Sequence, residues 1–260
     1  MPKEISQLTG SAIQAKNIFL VLDYDGTLAE FAPTPDTIIP DPRIISLMQN
    51  LIAAPGITPA ILSGRRLAHI QKLVPLQGML LAGTYGIEMQ LPDGQLLMRL
   101  SFSEIRPTIE KILIEWQALL EKREGFYLED KGWSLAIHGR FANPDELPII
   151  MNKAKHIVQN LHLSNEYRLS GDAMFLELAP ATANKANAVD MILNKIVPDD
   201  ALIIYAGDDA KDEEAFKVII AKHGNAIKVC AVEVETLAQY RLARPHELLE
   251  WLRNLINNRK

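Results

Sequence analysis

The chain has 260 residues, enough for one large domain or two modest ones, and either can bury a hydrophobic core. Its composition, 48% hydrophobic and 23% charged, is that of an ordinary globular protein and excludes a disordered or fibrous one. The net charge of −5 and the lack of a basic stripe argue against nucleic acid as a partner.

Targeting and redox signals are weak in this sequence. The N-terminal stretch lacks the apolar segment of a signal peptide, and no window reaches transmembrane length. We therefore expect a cytoplasmic protein without a membrane partner. Cys230 is the only cysteine, which excludes an intramolecular disulfide and a cysteine metal cluster.

The first strong signal along the chain is the apolar run Ile18 to Leu22, followed by Asp23 and Asp25. Such a run predicts a strand buried on both faces of a parallel sheet. Side chains two residues apart on an extended chain point to the same side, so the two carboxylates should lie together. Close carboxylates repel, and a divalent cation relieves the repulsion. The motif indicates a metal site at the carboxyl end of a strand; an acidic loop that only caps a helix is the alternative.

A second polar turn follows the next predicted strand. A proline-punctuated loop covers Glu30 to Pro42, and a helix then extends to about Ala53. Thr58 to Leu62 is a predicted buried strand that ends at Ser63-Gly64-Arg65. The Ser63 hydroxyl and the backbone N–H groups after it offer an anion cradle at the start of a helix.

A third strand and a hairpin complete the first part of the chain. The strand is Met79 to Ala82, and Thr84-Tyr85-Gly86 follows it. Ile87 to Leu91 and Gln95 to Leu100 are expected to pair across Pro92-Asp93-Gly94, a turn-forming sequence.

The pattern changes at residue 105 to helix, strand, strand, twice over. This order predicts two helices on one face of an antiparallel sheet. We therefore predict an inserted α+β cap domain (αββαββ) at residues 105–182, and a discontinuous Rossmann-like α/β core with a parallel sheet at residues 1–104 and 183–260. The predicted cap elements are helices Ile105 to Arg123 and Pro144 to Leu161, and strands Phe126 to Glu129, Trp133 to His138, Tyr167 to Leu169 and Ala173 to Leu178.

The βα alternation resumes after the cap and brings another acidic turn. Lys185 opens a predicted helix and offers a point charge for a phosphate group. After the predicted strand Ala201 to Ala206, Asp208 stands at a strand tip and Asp212 lies about one helical turn further on. Mg²⁺ prefers oxygen ligands and keeps several waters, so two or three protein oxygens suffice. Alternatively, Asp208 and Asp209 cap the helix, and Asp212 belongs to an exposed face.

The four motifs together resemble the phosphatases of the haloacid dehalogenase-like (HAD) superfamily, and more narrowly the trehalose-6-phosphate phosphatase family. The matching segments are Leu22 to Leu28, Ser63 to Arg65, Lys131 to His138 and Gly207 to Phe216. The chain departs from the family pattern at Thr84-Tyr85-Gly86, at Lys185-Ala186 and at Ala210-Lys211-Asp212, where Ser/Ala-His-Gly, Lys-Gly and Arg-Thr-Asp are usual. The resemblance implies a HAD core with a cap of the C2B type.

The resemblance also implies a role for each motif residue. Asp23 would be the nucleophile that forms an aspartyl-phosphate, and Asp25 the general acid and then the base. Mg²⁺ would be held by Asp23, the backbone carbonyl of Asp25 and Asp208, with Asp212 in or near the layer of groups that surrounds these ligands. The phosphoryl oxygens would be held by Ser63 and Lys185.

Residues of the cap are implied to bind the sugar. Glu177 lies in an apolar run, where a charge is expected to face a wet cleft; structural pairing with a basic neighbour is the alternative. The predicted substrate-binding set is Arg65, Glu129, Lys131, His138, Arg140 and Glu177.

These expectations converge on Mg²⁺-dependent hydrolysis of trehalose 6-phosphate by a monomer whose partner is the small sugar phosphate. The enzymatic alternative is another substrate, such as sucrose phosphate or a mannosyl- or glucosyl-phosphoglycerate. Two alternatives are not enzymes. A phosphoacceptor signalling domain has no use for an inserted cap, and the intact acids argue against an inactive binding protein.

Overall fold

The computed structural model describes residues 3–31 and 39–259, so residues 32–38 of the predicted proline-punctuated loop lie outside the described part. The chain forms two compact units. The core unit comprises Met1–Leu97 and Asn184–Lys260, and the cap unit comprises Met98–Ala183. The predicted domain boundaries lie at residues 104–105 and 182–183.

The elements up to the end of the first core segment are α1 (Ile5–Gln14), β1 (Asn17–Leu22), α2 (Pro42–Ala53), β2 (Ile57–Leu62), α3 (Leu67–Leu73), β3 (Leu80–Gly83), β4 (Glu88–Gln90) and β5 (Leu96–Met98). Those that follow are α4 (Phe102–Leu120), β6 (Tyr127–Asp130), β7 (Leu135–His138), α5 (Leu147–Asn160), β8 (Tyr167–Gly171) and β9 (Phe175–Pro180). The last are α6 (Lys185–Lys195), β10 (Ala201–Gly207), α7 (Ala210–Ala221), β11 (Asn225–Val229), β12 (Tyr240–Leu242) and α8 (Pro245–Asn258). Among the described helices, none combines the length and the apolarity that crossing a membrane requires.

The larger sheet is mostly parallel, as the sequence predicts. Its strand order is β12-β11-β10-β1-β2-β3-β4-β5, and the strands from β12 to β3 run parallel. β4 is antiparallel to β3, and β5 lies beside β4, which confirms the predicted pairing of these two segments. We did not predict β12, a strand of three residues at the edge of the sheet.

The central strand β1 is buried on both faces. Ile18, Leu20 and Leu22 belong to one hydrophobic cluster, while Phe19 and Val21 belong to another. Successive side chains of a strand point to opposite faces, so an uninterrupted apolar run is what a doubly covered strand requires. Each of these side chains is at most 1% exposed, which confirms the predicted buried strand.

The strand register brings three polar turns to one edge of this sheet. Leu22 at the end of β1 is level with Ala206 of β10 and with Ile61 of β2. The residues that follow these strands therefore begin at nearly the same height. Because the strands are parallel, all three turns leave the sheet at its carboxyl edge, where ligands of open α/β sheets bind.

The smaller sheet lies in the cap unit and is antiparallel, with strand order β6-β7-β9-β8. Leu135, Ile137, Leu176 and Leu178 share a hydrophobic cluster with residues of α4 and α5. The residues between them in β7 and β9 point to the opposite face. The two helices therefore cover one face of this sheet, as predicted, and polar groups can occupy the other.

Candidate active site

Three carboxylates from the polar turns converge in the core unit. Asp23, Asp208 and Asp212 each offer an oxygen, and these oxygens lie within 4.8 Å of one another. Gly26 makes this approach possible, because a Cβ atom there would lie 2.2 Å from Oδ2 of Asp208. Its φ of 80° is also a conformation that glycine adopts readily. An all-oxygen donor set of this kind fits a hard divalent cation such as Mg²⁺.

Burial, together with the crowding of these carboxylates, raises their affinity for protons. Burial raises the pKa of Asp23 well above its usual range, the charge of Lys185 opposes this, and the charges of Asp212 and Asp208 add to it. Burial, with the charges of Asp212 and Asp209, raises the pKa of Asp208 to about 7. A bound cation would replace these protons and reduce the repulsion between the carboxylates, so the surroundings that raise the pKa values also favour a metal ion.

Lys185 lies among the same carboxylates. Its Nζ is 2.9 Å from Oδ1 of Asp23 and 2.6 Å from Oδ1 of Asp212, and the residue is 2% exposed. Burial alone would lower the pKa of the ammonium, but the charges of Asp212 and Asp23 outweigh this and raise it. Asn184 caps α6 by accepting a hydrogen bond from the N–H of Asn187, which fixes the start of the helix that carries Lys185. The lysine is therefore a charged group directed at Asp23.

Asp212 organises the turn that carries Asp208. Its Oδ2 accepts hydrogen bonds from the backbone N–H groups of Asp208 and Asp209, both at 3.0 Å. Its Oδ1 accepts from Lys185 and, at 2.7 Å, from the hydroxyl of Tyr205. Asp209 is the N-cap of α7, as one alternative supposed, but Asp212 is fully buried rather than part of an exposed face. Every carboxylate oxygen of Asp212 is thus already hydrogen-bonded.

Asp25 lies outside this group of carboxylates and pairs with Arg65. The guanidinium donates from Nε to Oδ2 of Asp25 at 2.6 Å and from Nη2 to Oδ1 at 2.7 Å. A bidentate pair of this kind fixes the plane of the carboxylate as well as its position. Arg65, which we predicted to bind substrate, therefore orients the predicted general acid.

Ser63 lies at the end of β2, and a strained turn supports it. Its buried hydroxyl oxygen accepts a hydrogen bond from the N–H of Arg65 at 3.1 Å. Thr84 and Tyr85 have left-handed φ values of 47° and 53°, which residues other than glycine seldom adopt. Their N–H groups donate to the carbonyls of Arg65 and Ser63, at 2.7 and 2.9 Å. The turn thereby holds the predicted anion cradle in place.

The cap unit contains a second polar cluster, on the sheet face away from α4 and α5. Nζ of Lys131 lies 2.8 Å from Oε1 of Glu177 and 3.8 Å from Oε2 of Glu129. Nε2 of His138 lies 2.9 Å from the same Oε2, and Ser134 donates to Glu177 at 3.2 Å. Burial tends to raise the pKa of Glu129, but its bond to His138 and the charge of Lys131 outweigh this and lower it. The four predicted cap residues named here therefore form one connected network with Ser134.

Glu177 and Arg140, which were both predicted to bind substrate, have different surroundings in the cap unit. Glu177 is fully buried and pairs with Lys131, so its charge is stabilised by a basic neighbour rather than by a wet cleft. Arg140 is exposed, and its guanidinium lies 5.9 Å from the ring centroid of Phe141. The role of Arg140 in substrate binding stays a prediction.

Sequence reasoning missed two residues that contact the carboxylates. Tyr205 of β10 reads as an ordinary strand residue, although a buried phenol usually finds a hydrogen-bond partner, and that was the available signal. The hydroxyl of Thr27 donates to Oδ1 of Asp208 at 3.1 Å and lies 3.4 Å from Oδ2 of Asp23. Both side chains help to fix the carboxylates.

Comparisons with known proteins point to one family. A family model described as trehalose-phosphatase matches residues 21–246. Trehalose 6-phosphate phosphatase RA3 of Zea mays is 28% identical over 269 residues, covering 96% of this chain and 72% of that protein. Probable trehalose-phosphate phosphatase D of Arabidopsis thaliana is 28% identical over 261 residues, covering 94% and 69%. The trehalose-6-phosphate phosphatase C-terminal domain of C. albicans shares the fold, with a TM-score of 0.85, 21% identity and coverage of 98% and 97%.

Proposed function

Because this chain belongs to the trehalose-phosphatase family, we propose that it hydrolyses trehalose 6-phosphate to trehalose and phosphate. The observation that carries the proposal is the group of carboxylates that includes the buried Asp23, with Lys185 directed at the same side chain. A phosphoric monoester hydrolase needs a nucleophile and positive charge beside the phosphoryl group, and this group of residues offers both.

The proposed first step is attack by a carboxylate oxygen of Asp23 on phosphorus. The bond between phosphorus and the sugar oxygen breaks, and Asp25 gives its proton to that leaving oxygen. In the second step Asp25 takes a proton from water, whose oxygen attacks the phosphorus of the aspartyl-phosphate and frees Asp23. Arg65 supports both steps because its bidentate bond sets the direction of the Asp25 carboxylate.

Positive charge and hydrogen-bond donors at the carboxyl edge of the sheet stabilise the transferring group in this proposal. Lys185 and Ser63 hold phosphoryl oxygens. Asp23, Asp208 and the backbone carbonyl of Asp25 would hold Mg²⁺, which when bound offsets the negative charge of the phosphoryl group. Asp212, whose oxygens are engaged by the backbone, Tyr205 and Lys185, acts by fixing Asp208 and Lys185.

A phosphate-release assay with a panel of substrates tests the function. The panel comprises trehalose 6-phosphate, sucrose phosphate, glucosyl-phosphoglycerate and an aryl phosphate, each with Mg²⁺ and with a chelator. We expect Mg²⁺-dependent release and the highest kcat/KM on trehalose 6-phosphate. A higher value on another sugar phosphate would overturn the assigned substrate. Failure to release phosphate from the whole panel would overturn the enzymatic function.

The affinity for Mg²⁺ is expected to fall as the pH drops below about 7, because the pKa of Asp208 is raised to about 7. Below this pH the ion must displace a proton, so the apparent affinity should fall by up to about tenfold per pH unit. Titration calorimetry at pH 8, 7 and 6 measures the affinity directly, and binding should release protons near pH 7. An affinity that stays constant between pH 8 and 6 would contradict a metal role for Asp208.

The cap-unit cluster is proposed to bind the sugar, and Glu177→Gln tests it. The amide keeps the size of the side chain but removes the charge that pairs with Lys131, and so disturbs the network that is proposed to bind the sugar. We expect kcat/KM for trehalose 6-phosphate to fall at least about tenfold, the scale of one charged hydrogen bond. The value for a small aryl phosphate should change less than about twofold, because that substrate lacks the sugar. Glutamine is preferable to alanine, which would leave Lys131 buried without this partner at a cost of about 3–5 kcal/mol.

Glu115→Gln is the matched control for this prediction. Glu115 is exposed on α4, so the same chemical change there should leave both substrates unaffected. Thermal unfolding of each variant separates recognition from stability. Equal losses on the two substrates for Glu177→Gln would assign Glu177 to the fold and overturn its role in sugar binding.

A further inference from the structure

Two residues in the core unit that depart from the family pattern contact each other. Lys211 is the second residue of α7, and Tyr85 lies in the turn after β3, 126 positions away. Nζ of Lys211 donates a hydrogen bond to the hydroxyl of Tyr85 and lies 4.5 Å from the centroid of its ring. The contact joins the acidic start of α7 to the turn that supports Ser63.

Tyr85 carries this contact to the anion cradle. A Cβ atom at Gly64 would lie 2.7 Å from the phenol oxygen, so the hydroxyl rests against the backbone of Gly64. The N–H of Tyr85 also donates to the carbonyl of Ser63 at 2.9 Å. The ammonium of Lys211 is therefore bonded to a group that directly touches the segment proposed to hold phosphate.

The strained backbone of the turn after β3 holds the phenol of Tyr85 against the backbone of Gly64. Thr84 and Tyr85 are successive left-handed residues, and strain of this kind persists only where the surroundings enforce it. The hydroxyl of Thr84 donates to Oε2 of Glu88 at 3.1 Å, and its N–H donates to the carbonyl of Arg65. Tyr85 itself is 4% exposed, so the neighbouring residues determine where its hydroxyl lies.

Lys211 brings positive charge to the proposed phosphate site. Lys185 lies between Asp23 and Asp212, and Arg65 is bonded to Asp25 through two nitrogens. A phosphate monoester brings further negative charge to this site. Lys211 adds a third positive charge on the side formed by Gly64, where its ammonium bonds to the hydroxyl of Tyr85 and its charge also acts on the carboxylate of Asp209.

We propose that Lys211 binds a phosphoryl oxygen of the substrate and that Tyr85 is the positioning residue that holds its ammonium beside the cradle. This inference rests on the proposed phosphatase function. It adds a second lysine to the groups that hold phosphate, with Tyr85 acting through Lys211 rather than on the substrate.

Binding of inorganic phosphate to the full chain in saturating Mg²⁺ tests the proposal by calorimetry. Lys211→Met should weaken phosphate binding at least about tenfold, the scale of one charged hydrogen bond. Lys211→Arg should recover most of the affinity, because it keeps a cation on a long side chain. Lys217→Met is the matched control, since Lys217 is exposed on the same helix and its loss should leave phosphate affinity unchanged.

Tyr85→Phe tests the positioning role, because it removes the hydroxyl and keeps the ring. It should weaken phosphate binding several-fold in the wild-type background and have little effect when Lys211 is already methionine, since the two residues act through one contact. Mg²⁺ affinity and the midpoint of thermal unfolding, measured for every variant, should stay close to wild type. Lys211→Gln serves as a second variant should the methionine impair folding.

Two results would overturn the inference. Wild-type phosphate affinity in Lys211→Met or in Lys211→Gln would remove Lys211 from the phosphate site. Full additivity of Tyr85→Phe and Lys211→Met would show that Tyr85 does not act through the lysine. If either result is obtained and the wild-type enzyme turns over normally, only this inference is wrong and the proposed function stands. If phosphate binding depends on Lys211 but the wild-type enzyme shows no turnover, only the proposed function is wrong.

Discussion

Asp23→Asn is expected to lower phosphate release from every substrate at least about a thousandfold while leaving the fold intact. The amide has the size of the carboxylate but cannot attack phosphorus, and it is a poorer ligand for Mg²⁺. The position is sensitive because Asp23 is 5% exposed and contacts Lys185 at 2.9 Å. Acid quenching during turnover, followed by mass spectrometry, should detect a phosphate adduct on the wild-type protein and none on the variant.

Asp190→Asn is the matched control for this change. Asp190 is exposed on α6, the helix that begins with Lys185, so the same substitution there should leave turnover unaffected. Activity of Asp23→Asn within about tenfold of wild type would overturn the covalent mechanism, as would a phosphate adduct on a different residue.

Asp25→Asn is expected to reduce turnover of trehalose 6-phosphate by about 10²–10⁴, the usual contribution of a general acid or base. A sugar alkoxide is a poor leaving group unless a proton reaches it as the bond breaks. An aryl phosphate with a nitrophenol leaving group needs no such proton, so its first step should be largely restored. Stopped-flow measurement should show a burst of about one nitrophenol per enzyme, because the second step still lacks its base.

The structure makes a stability control necessary for Asp25→Asn. Arg65 bonds to both carboxylate oxygens of Asp25, and the amide can keep only one acceptor. Thermal unfolding and Mg²⁺ affinity should therefore be measured beside the kinetics. An equal loss on the sugar phosphate and on the aryl phosphate, without a burst, would contradict the role of Asp25 as the acid.

Much of the core fold could be predicted because it depends on long apolar runs. The run Ile18 to Leu22 favours a strand buried on both faces, as inside a covered parallel sheet, and the register then places Asp23 beside the turn after β10. The convergence of Asp23 and Asp208 follows from that topology. By contrast, β12 has only three residues and follows an irregular loop, so its pairing with β11 is set by tertiary contacts rather than by local pattern.

The partners of individual side chains could not be predicted from periodicity. An acidic residue in the first turn of a helix looks the same in the sequence whether its side chain is exposed or buried. The side chain of Asp212 is buried and bonded to the backbone of the turn that precedes its helix. The pair of Arg65 and Asp25 joins positions 40 residues apart, and no local signal specifies it. Glu177 was expected to face water because its charge lies in an apolar run, but Lys131 provides the compensation within the protein.

The position of β1 between β10 and β2 has a consequence for synthesis on the ribosome. β2 follows β1 closely, whereas the pairing partner on the other side begins at Ala201, after the whole cap unit has been made. Until then one edge of an uninterrupted apolar strand is open to pairing with other chains. Pairing between distant segments is also slow, which lengthens that exposure. We therefore expect nascent chains stalled before residue 201 to bind chaperones, and we expect slow translation of the cap to prolong the interval in which they can aggregate.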